Sequence, residues 1–176
     1  AEIDGETYWD ESARYEFSLR EIEDDLEAPT EELGALCLEV AAKVVRDEAT
    51  LRRLAIPEHA WGLIAESWTR GDKSLYGRFD VAYDGESAAK LLEYNADTPT
   101  SLFESAVVQW QWLRDLVERK ALPADADQFN SLHEKLIARW RAVAPIPDQF
   151  LHLACMQSSV EDSGTIAYLA DCATQA

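Results

Sequence analysis

The sequence predicts a helix-rich chain of the mixed α/β (α+β) class that carries a single β-hairpin. Apolar residues recur three, four and seven positions apart over most of the chain, which is the period of an amphipathic helix. From Leu75 to Tyr83 the period changes to two, as in a half-buried strand, and Asp84-Gly85 follows as a turn signal. An apolar stretch from Gln149 to Met156 precedes another helical pattern, which predicts a buried strand and the start of a βα layer.

The composition indicates which classes of molecule the protein is expected to bind. Apolar residues make up 47% of the chain, which is typical of a globular protein. The formal charge is −18, and such a surface repels nucleic acid and anionic lipid, so we expect neither as a partner. The same charge is compatible with cationic ligands such as polyamines. Oligomeric state cannot be read from these features.

The cysteines and the hydropathy predict a cytoplasmic protein. Cys37, Cys155 and Cys172 are far apart, and none stands in a C-x-x-C pair, so we expect free, buried thiols in a reducing compartment. No apolar run approaches the length of about 18 residues that a membrane span needs.

The first sixty residues are predicted to be mainly helical. Ser18 and Glu21 form a capping-box pattern at the start of a helix. Pro29 should kink or interrupt that helix, because proline lacks an N–H group and clashes with the preceding turn. A further helix is predicted to begin at Pro57 and to end at Gly71.

The second half of the chain should be mainly helical as well. One helix is expected to begin at Thr98-Pro99, or a few residues later at the alternative capping box of Ser101 and Glu104, and to run to about Lys120. Its predicted buried stripe consists of Leu102, Ala106, Trp110, Leu113 and Val117. Further helices are predicted over about 127–143 and from about residue 163.

The predicted hairpin holds two polar pairs. Arg78 and Asp80 occupy alternate positions of the first strand, and Glu93 and Asn95 occupy alternate positions of the returning strand, 88–95. Alternate residues of a strand point to the same face of the sheet. If Arg78 lies opposite Glu93 and Asp80 opposite Leu91, all four polar side chains share one face.

This polar face has two interpretations. Two carboxylates and an amide oxygen are ligands that suit Mg²⁺, and an adjacent arginine can stabilise a phosphoryl group. Alternatively, Arg78 and Glu93 form a cross-strand salt bridge on a solvated face, which would contribute only about 0.2–1 kcal/mol. Spacing alone does not decide between a metal site and a salt bridge.

Longer motifs resemble those of the glutathionylspermidine synthase family. The hairpin segments 76–80 and 91–102, YGRFD and LLEYNADTPTSL, resemble the family signature. Segments 8–11, 104–112 and 128–130 resemble its opening and middle blocks, and 161–173 resembles the next block. The resemblance covers essentially the whole chain in order, and the run of twelve residues from Leu91 is highly specific.

The resemblance implies an ATP-grasp fold and an ATP- and Mg²⁺-dependent ligase. Members of this family activate the glycine carboxylate of glutathione as an acyl phosphate and join it to an amine of spermidine. By resemblance, Asp80, Glu93 and Asn95 match the magnesium ligands. Arg78 matches the catalytic arginine that contacts the phosphates of ATP.

The resemblance also implies substrate-binding residues. Thr98 matches a hydroxyl residue near glutathione, and Glu161 matches an acidic residue on the glutathione side. Asp162 matches an acidic residue on the polyamine side, where some members carry a longer glutamate.

The resemblance further predicts how the chain is organised. Residues 1–176 are expected to form the N-terminal, pre-ATP-grasp portion of such a ligase. No glycine-rich phosphate loop is found in the sequence, so the ATP-binding part is expected beyond Ala176 and this portion should be inactive alone. The alternatives are a synthase-like module that binds a peptide or polyamine without ligating it, and a purely structural helical domain.

Overall fold

The described part of the chain consists mainly of helices and contains one substantial antiparallel hairpin. The computed structural model describes residues 2–3, 5–97, 99–144, 150–156 and 158–176. The strands are β1 (Glu2–Ile3), β2 (Glu6–Thr7), β3 (Arg78–Ala82) and β4 (Lys90–Asn95). The helices are α1 (Ala28–Val44), α2 (Glu48–Arg53), α3 (Glu58–Arg70), α4 (Gln109–Glu118), α5 (Leu132–Val143) and α6 (Val160–Gln175). The predicted mixed α/β class, rich in helix with a small antiparallel sheet, is confirmed.

The capping box at Ser18 is present, and the helix that follows it begins in π-helical form. Glu21 accepts hydrogen bonds from the backbone N–H and the hydroxyl of Ser18, at 2.7 and 2.6 Å, and its own N–H donates to the Ser18 hydroxyl. A π-helical segment, Glu21–Glu27, leads directly into α1. Pro29 does not interrupt the helix: Glu27 and Ala28 keep helical backbone angles, and the missing N–H group of Pro29 coincides with the change from π-helical to α-helical hydrogen bonding.

The next two helices have clear terminal signals. Asp47 caps α2 by accepting hydrogen bonds from the N–H groups of Ala49 and Thr50. The sequence analysis did not identify this short helix. α3 begins after Pro57 and ends at Gly71 in the left-handed conformation, φ +64°, as predicted.

The fourth helix starts later than Thr98-Pro99 would imply. Thr98 itself lies outside the described residues. The helical chain begins at Leu102, passes through a π-helical segment, Glu104–Val108, and continues as α4. Leu102 and Leu113 of the predicted stripe are buried, but Trp110, predicted to be buried, is 45% exposed.

The core joins α5 and α6 to the beginning of the fourth helix. It is formed by Leu102, Leu136, Trp140, Tyr168, Leu169 and Cys172. Leu75 and Tyr76, which lead into β3, pack against this cluster. The entrance of the hairpin is therefore attached to the best-buried part of the molecule.

Two predictions about the C-terminal part are wrong. Residues 150–156 form no strand, and Phe150 is 91% exposed; Gln149 lies outside the described residues. A strand needs a neighbour that accepts its backbone hydrogen bonds, and the described part of the chain supplies none for this stretch. The last helix begins at Val160, not near Ser163, because Ser159 caps it by accepting a hydrogen bond from the Asp162 N–H.

The cysteines are less buried than the sequence predicted. The three cysteines are free, but only Cys172 is fully buried; Cys37 is half-buried and Cys155 is exposed. None of the helices among the described residues combines the length and the apolar character that a transmembrane span requires.

Candidate functional site

The hairpin brings its four polar residues to one face, although its register differs from the predicted one. Arg78 lies opposite Asn95, and Asp80 lies opposite Glu93. The predicted partners, Glu93 for Arg78 and Leu91 for Asp80, are wrong by two positions. A shift of two residues keeps each side chain on its face, so the grouping survives the error.

The two-residue difference has two sources. On the turn side, Val81 lies opposite Leu91 and not opposite Lys90, as the predicted register requires, which is a difference of one residue. A β-bulge adds the second: Glu93 pairs with Asp80 while Leu91 pairs with Val81, so Leu92 has no partner on β3 and is 69% exposed. The bulge therefore changes the pairing near the turn and leaves the polar end of the ribbon regular.

The opposite face of the hairpin is apolar and tightly packed. The rings of Phe79 and Tyr94 stack across the strands with their centroids 4.2 Å apart. Gly77 lies directly under the Tyr94 ring, and a Cβ atom at Gly77 would meet Tyr94 Cε2 at 2.7 Å. This close packing at the polar end of the ribbon fixes the pairing that brings Asp80 opposite Glu93.

Arg78 is the centre of the polar face. Its Nε donates to Asp80 Oδ1 at 2.6 Å, and its Nη2 donates to Asp80 Oδ2 at 3.1 Å, which is a bidentate pair. Nη2 also lies 3.7 Å from Glu93 Oε1. One guanidinium therefore bridges the two strands and both carboxylates.

The chain after β4 folds back on β3 and contacts the same arginine. Arg78 Nη1 donates to the backbone carbonyl and to the hydroxyl Oγ1 of Thr100, both at 3.0 Å. Tyr76 donates its hydroxyl to the carbonyl of Pro99 at 3.2 Å. The sequence analysis missed Thr100; its position inside the 91–102 motif was the available signal.

The charges of the face perturb each other. The pKa of Asp80 is held below its ordinary value, chiefly by the hydrogen bonds from Arg78. The pKa of Arg78 is raised, chiefly by Asp80, with smaller contributions from the charges of Glu93 and Glu161. The Asp80 carboxylate is thus ionised at neutral pH and available to a cation.

The face carries the kinds of oxygen atom that a magnesium ion binds. Asp80 and Glu93 are direct cross-strand neighbours, Asn95 follows two positions on, and their side chains are partly exposed to solvent. Mg²⁺ prefers oxygen ligands and keeps several water or phosphate ligands, so it needs few protein groups. Among the described residues, no group of three or more His, Cys, Asp or Glu side chains is arranged for a metal ion. The candidate set is smaller in acids, with two carboxylates and one amide.

The two predicted acidic residues of the later block lie in the first turn of α6. Glu161 is exposed, and its charge contributes to the raised pKa values of both Arg78 and Tyr8, so it belongs to the surroundings of the hairpin. Asp162 is half-buried, and no hydrogen bond or ion pair joins its carboxylate to the hairpin in the part of the chain that the structure describes. The charge of Glu161 thus acts on Arg78, but among the described residues neither acid makes a hydrogen bond or an ion pair with the hairpin.

Tyr8 and Glu104 form a second polar contact near this face that sequence reasoning did not find. The Tyr8 hydroxyl donates to Glu104 Oε1, and this bond, together with burial and the charges of Glu104 and Glu161, raises the pKa of Tyr8 to about 12. The other carboxylate oxygen of Glu104 is buried and has no hydrogen-bond partner within the part of the chain that the structure describes. Next to this contact, the rings of Trp9 and Trp112 meet edge to face, 6.2 Å apart.

A cleft of about 560 Å³ lies elsewhere, between α4, α5 and α6. Its lining includes Phe103, Trp110, Gln128, His133 and Tyr168, and it contains none of the predicted site residues. The hairpin face remains the stronger candidate because it combines an arginine, two carboxylates and an amide within one set of contacts.

The chain is similar in sequence to proteins whose names describe ligases and synthetases. It is 43% identical over 175 residues to a protein of Haemophilus influenzae whose name describes an acid–amine ligase; the match covers 98% of this chain and 43% of the relative. It is 38% identical over 76 residues to the trypanothione synthetase of Crithidia fasciculata, which covers 43% of this chain and 12% of that enzyme.

A third relative is the bifunctional glutathionylspermidine synthetase/amidase of Escherichia coli, 32% identical over 91 residues, or 51% of this chain and 14% of that enzyme. This chain thus spans less than half the length of each of these relatives. The family described as "Glutathionylspermidine synthase preATP-grasp" matches this chain over residues 1–176. The chain therefore belongs to the glutathionylspermidine synthase preATP-grasp family.

Proposed function

We propose that the full-length protein is an ATP- and Mg²⁺-dependent carboxylate–amine ligase, with a glutathione-like peptide as the acid and a polyamine such as spermidine as the amine. The observation that carries the proposal is the grouping of Arg78, Asp80, Glu93 and Asn95 on one hairpin face. Membership of the family and the names of the relatives support the reaction class. As part of the proposal, residues 1–176 contribute the substrate side and the metal ligands.

The residues of the face have separate roles in this proposal. Asp80, Glu93 and Asn95 would hold Mg²⁺ through oxygen atoms, which suits the preference of this ion. When bound, ATP would supply the phosphoryl group that activates the carboxylate and would leave as ADP, while Mg²⁺ would neutralise charge on the phosphates. Arg78, whose Nε now donates to Asp80 and whose Nη1 donates to Thr100, would offer N–H donors to the negative charge that develops on the reacting group.

The substrate assignments rest on family resemblance and on the charge near the hairpin. Thr98, which lies outside the described residues, and Glu161 would contact the peptide substrate. Asp162 would contact the amine. The negative charge of Glu161 beside Tyr8 and Arg78 is compatible with a substrate that carries an ammonium group.

The experiment is a ligation assay with the full-length protein, Mg²⁺, ATP, glutathione and spermidine, in which the product is detected by mass and ADP is measured in parallel. Arg78→Ala should lower product formation by about 10²–10³-fold, the usual effect of losing a charge-stabilising donor. Arg114→Ala is the matched control, because Arg114 is an exposed arginine of α4 that contacts only Glu118 in the ion pairs described, at 3.7 Å.

The outcomes separate the proposal from its alternative. Product formation at the wild-type rate by Arg78→Ala would refute the role of Arg78. Binding of glutathione or spermidine without ADP formation, in the wild-type protein, would identify a non-catalytic binding module instead. A series of other acids and amines, screened by the mass of the ligated product, would then define the substrate class.

A further inference from the structure

The donors of Arg78 fall into two edges that meet different kinds of acceptor. A guanidinium carries five N–H groups in a rigid, planar fork. One edge, Nε and Nη2, meets the Asp80 carboxylate, at 2.6 and 3.1 Å. The other nitrogen, Nη1, meets two oxygen atoms of a single residue, the carbonyl and the hydroxyl of Thr100, both at 3.0 Å.

The Asp80 edge is the one that can exchange partners. Asp80 is also a candidate metal ligand, and its side chain is 37% exposed. A cation can therefore compete with Arg78 for the carboxylate, and a phosphate can compete with Asp80 for Nε and Nη2 of Arg78. Glu93, 3.7 Å from Nη2, is still more exposed, at 61%. When Asp80 turns to a cation, Nε and Nη2 become available to an anionic substrate group.

The Thr100 edge has a fixed partner. Thr100 follows Pro99, which is buried and whose carbonyl accepts the Tyr76 hydroxyl hydrogen bond at 3.2 Å. Tyr76 packs against the main hydrophobic core. The backbone that carries Thr100 is therefore connected to the core by contacts that do not involve Asp80, while the Thr100 side chain itself is exposed.

We propose that Thr100 is a positioning residue for Arg78: it holds Nη1, so that the guanidinium keeps its orientation when Nε and Nη2 leave Asp80 for the substrate. This inference rests on the proposed function only for its kinetic consequence. The immobilisation of the Arg78 side chain is a property of the protein without substrate and can be measured separately.

The variants separate the hydroxyl from the fold. Thr100→Val keeps the shape and the carbonyl but removes one acceptor of Nη1, whereas Thr100→Ser keeps both acceptors. Thr69→Val is the matched control, since the Thr69 hydroxyl is exposed and donates to the Ala65 carbonyl within α3. All variants are made in the full-length protein, and their melting temperatures are compared.

The first readout is NMR of ¹⁵N-labelled arginine side chains, with the Arg78 signals identified by their loss in Arg78→Lys. Wild-type, Thr100→Ser and Thr69→Val should show slow rotation about the Cζ–Nη1 bond of Arg78. Thr100→Val should show faster rotation of that group. Unchanged rotation in Thr100→Val would overturn the proposal, whatever its activity.

The second readout is kinetic. Thr100→Val should lower kcat about tenfold with little change in KM, since it misorients a donor that acts in the transition state. Thr100→Ser should restore kcat, and Thr100→Val should have no further effect in an Arg78→Lys background, because both changes act through one side chain. Additive effects of the two substitutions would overturn a role through Arg78.

The two proposals fail in different ways. If Arg78→Ala is as active as wild-type, the proposed function of Arg78 is wrong, and the NMR result still reports on Thr100. If Arg78→Ala is inactive while Thr100→Val has the rotation and the kcat of wild-type, the ligase site stands and the positioning role is wrong.

Discussion

Asp80 and Glu93 face each other across the β3–β4 ribbon, and Arg78 contacts both carboxylates, Asp80 at 2.6 Å and Glu93 at 3.7 Å. Two acids on neighbouring strands would repel each other without a cation between them. Arg78 supplies that cation in the described structure. A divalent ion bound by the same two carboxylates would replace the arginine as their partner and leave its donors to the substrate.

Asp80→Asn tests this exchange. Asparagine keeps one oxygen but loses the charge, so we expect at least tenfold weaker binding of Mg²⁺ or Mn²⁺ to the full-length protein, measured by calorimetry without substrates. Asp115→Asn is the control, because Asp115 is an exposed acid of α4 whose ion-pair partner is Arg119, at 3.6 Å. Equal metal affinity of Asp80→Asn and wild-type would remove Asp80 from the ligand set.

Gly77→Ala should weaken the hairpin. The new Cβ would lie 2.7 Å from Tyr94 Cε2 and 3.3 Å from the carbonyl oxygen of Asn95, so the ring and the strand must move. We expect a loss of about 1–3 kcal/mol in the free energy of unfolding, measured by urea denaturation.

Gly62→Ala is the control for that substitution. Gly62 is an exposed glycine of α3 with no atom within 4 Å of the added Cβ, so alanine there should raise stability by about 0.5–1 kcal/mol. Similar changes for the two variants would show that Tyr94 does not constrain position 77.

The sequence predicted the polar face of the hairpin because alternation depends only on strand parity. Arg78 and Asp80 share a face with Glu93 and Asn95 in any register that differs by two residues. The alternating pattern did not reveal the bulge at Leu92, because a bulge is a property of how β4 pairs with β3. Local patterns thus define faces, while long-range packing defines partners.

The contacts that complete the site were beyond pattern analysis for the same reason. Thr100 reaches Arg78 across 22 positions, and Tyr8 reaches Glu104 across 96. Trp110 is 45% exposed although its spacing places it on the same helical stripe as the buried Leu113, because burial depends on which elements pack against the helix as well as on helical spacing. The strand expected over 149–156 required a neighbouring strand that its own sequence cannot provide.

Stability should fall as pH rises from about 10 to 12. Partial burial and a hydrogen bond to Asp25, 2.9 Å from the hydroxyl, raise the pKa of Tyr83 from 10.0 to about 12. A raised pKa means that the folded state favours the neutral phenol. Its stabilisation is complete below pH 10 and is lost as pH passes through the folded pKa. The pKa of Tyr8 is also raised to about 12, so its deprotonation should lower stability over the same pH range.

Tyr83→Phe isolates the contribution of one phenol. We expect a smaller decrease of the melting temperature between pH 9 and 11.5 in Tyr83→Phe than in wild-type, whereas Tyr15→Phe, at a side chain 92% exposed, should behave as wild-type. If Tyr83→Phe and wild-type lose stability in parallel over this range, the Tyr83–Asp25 hydrogen bond does not stabilise the fold.

Leu136→Ala should be the most destabilising of these single changes. Leu136 is 4% exposed and packs in the cluster that joins α5, α6 and Leu102. Removing its side chain leaves a cavity among close-packed neighbours, which costs about 2–5 kcal/mol. Leu63→Ala, at a leucine of α3 that is 66% exposed, should change stability by less than about 0.5 kcal/mol.

Because Leu75 and Tyr76 attach the hairpin to this cluster, Leu136→Ala should also speed amide hydrogen exchange in β3. Unchanged exchange in β3, together with the expected loss of stability, would show that the hairpin does not depend on the helical core.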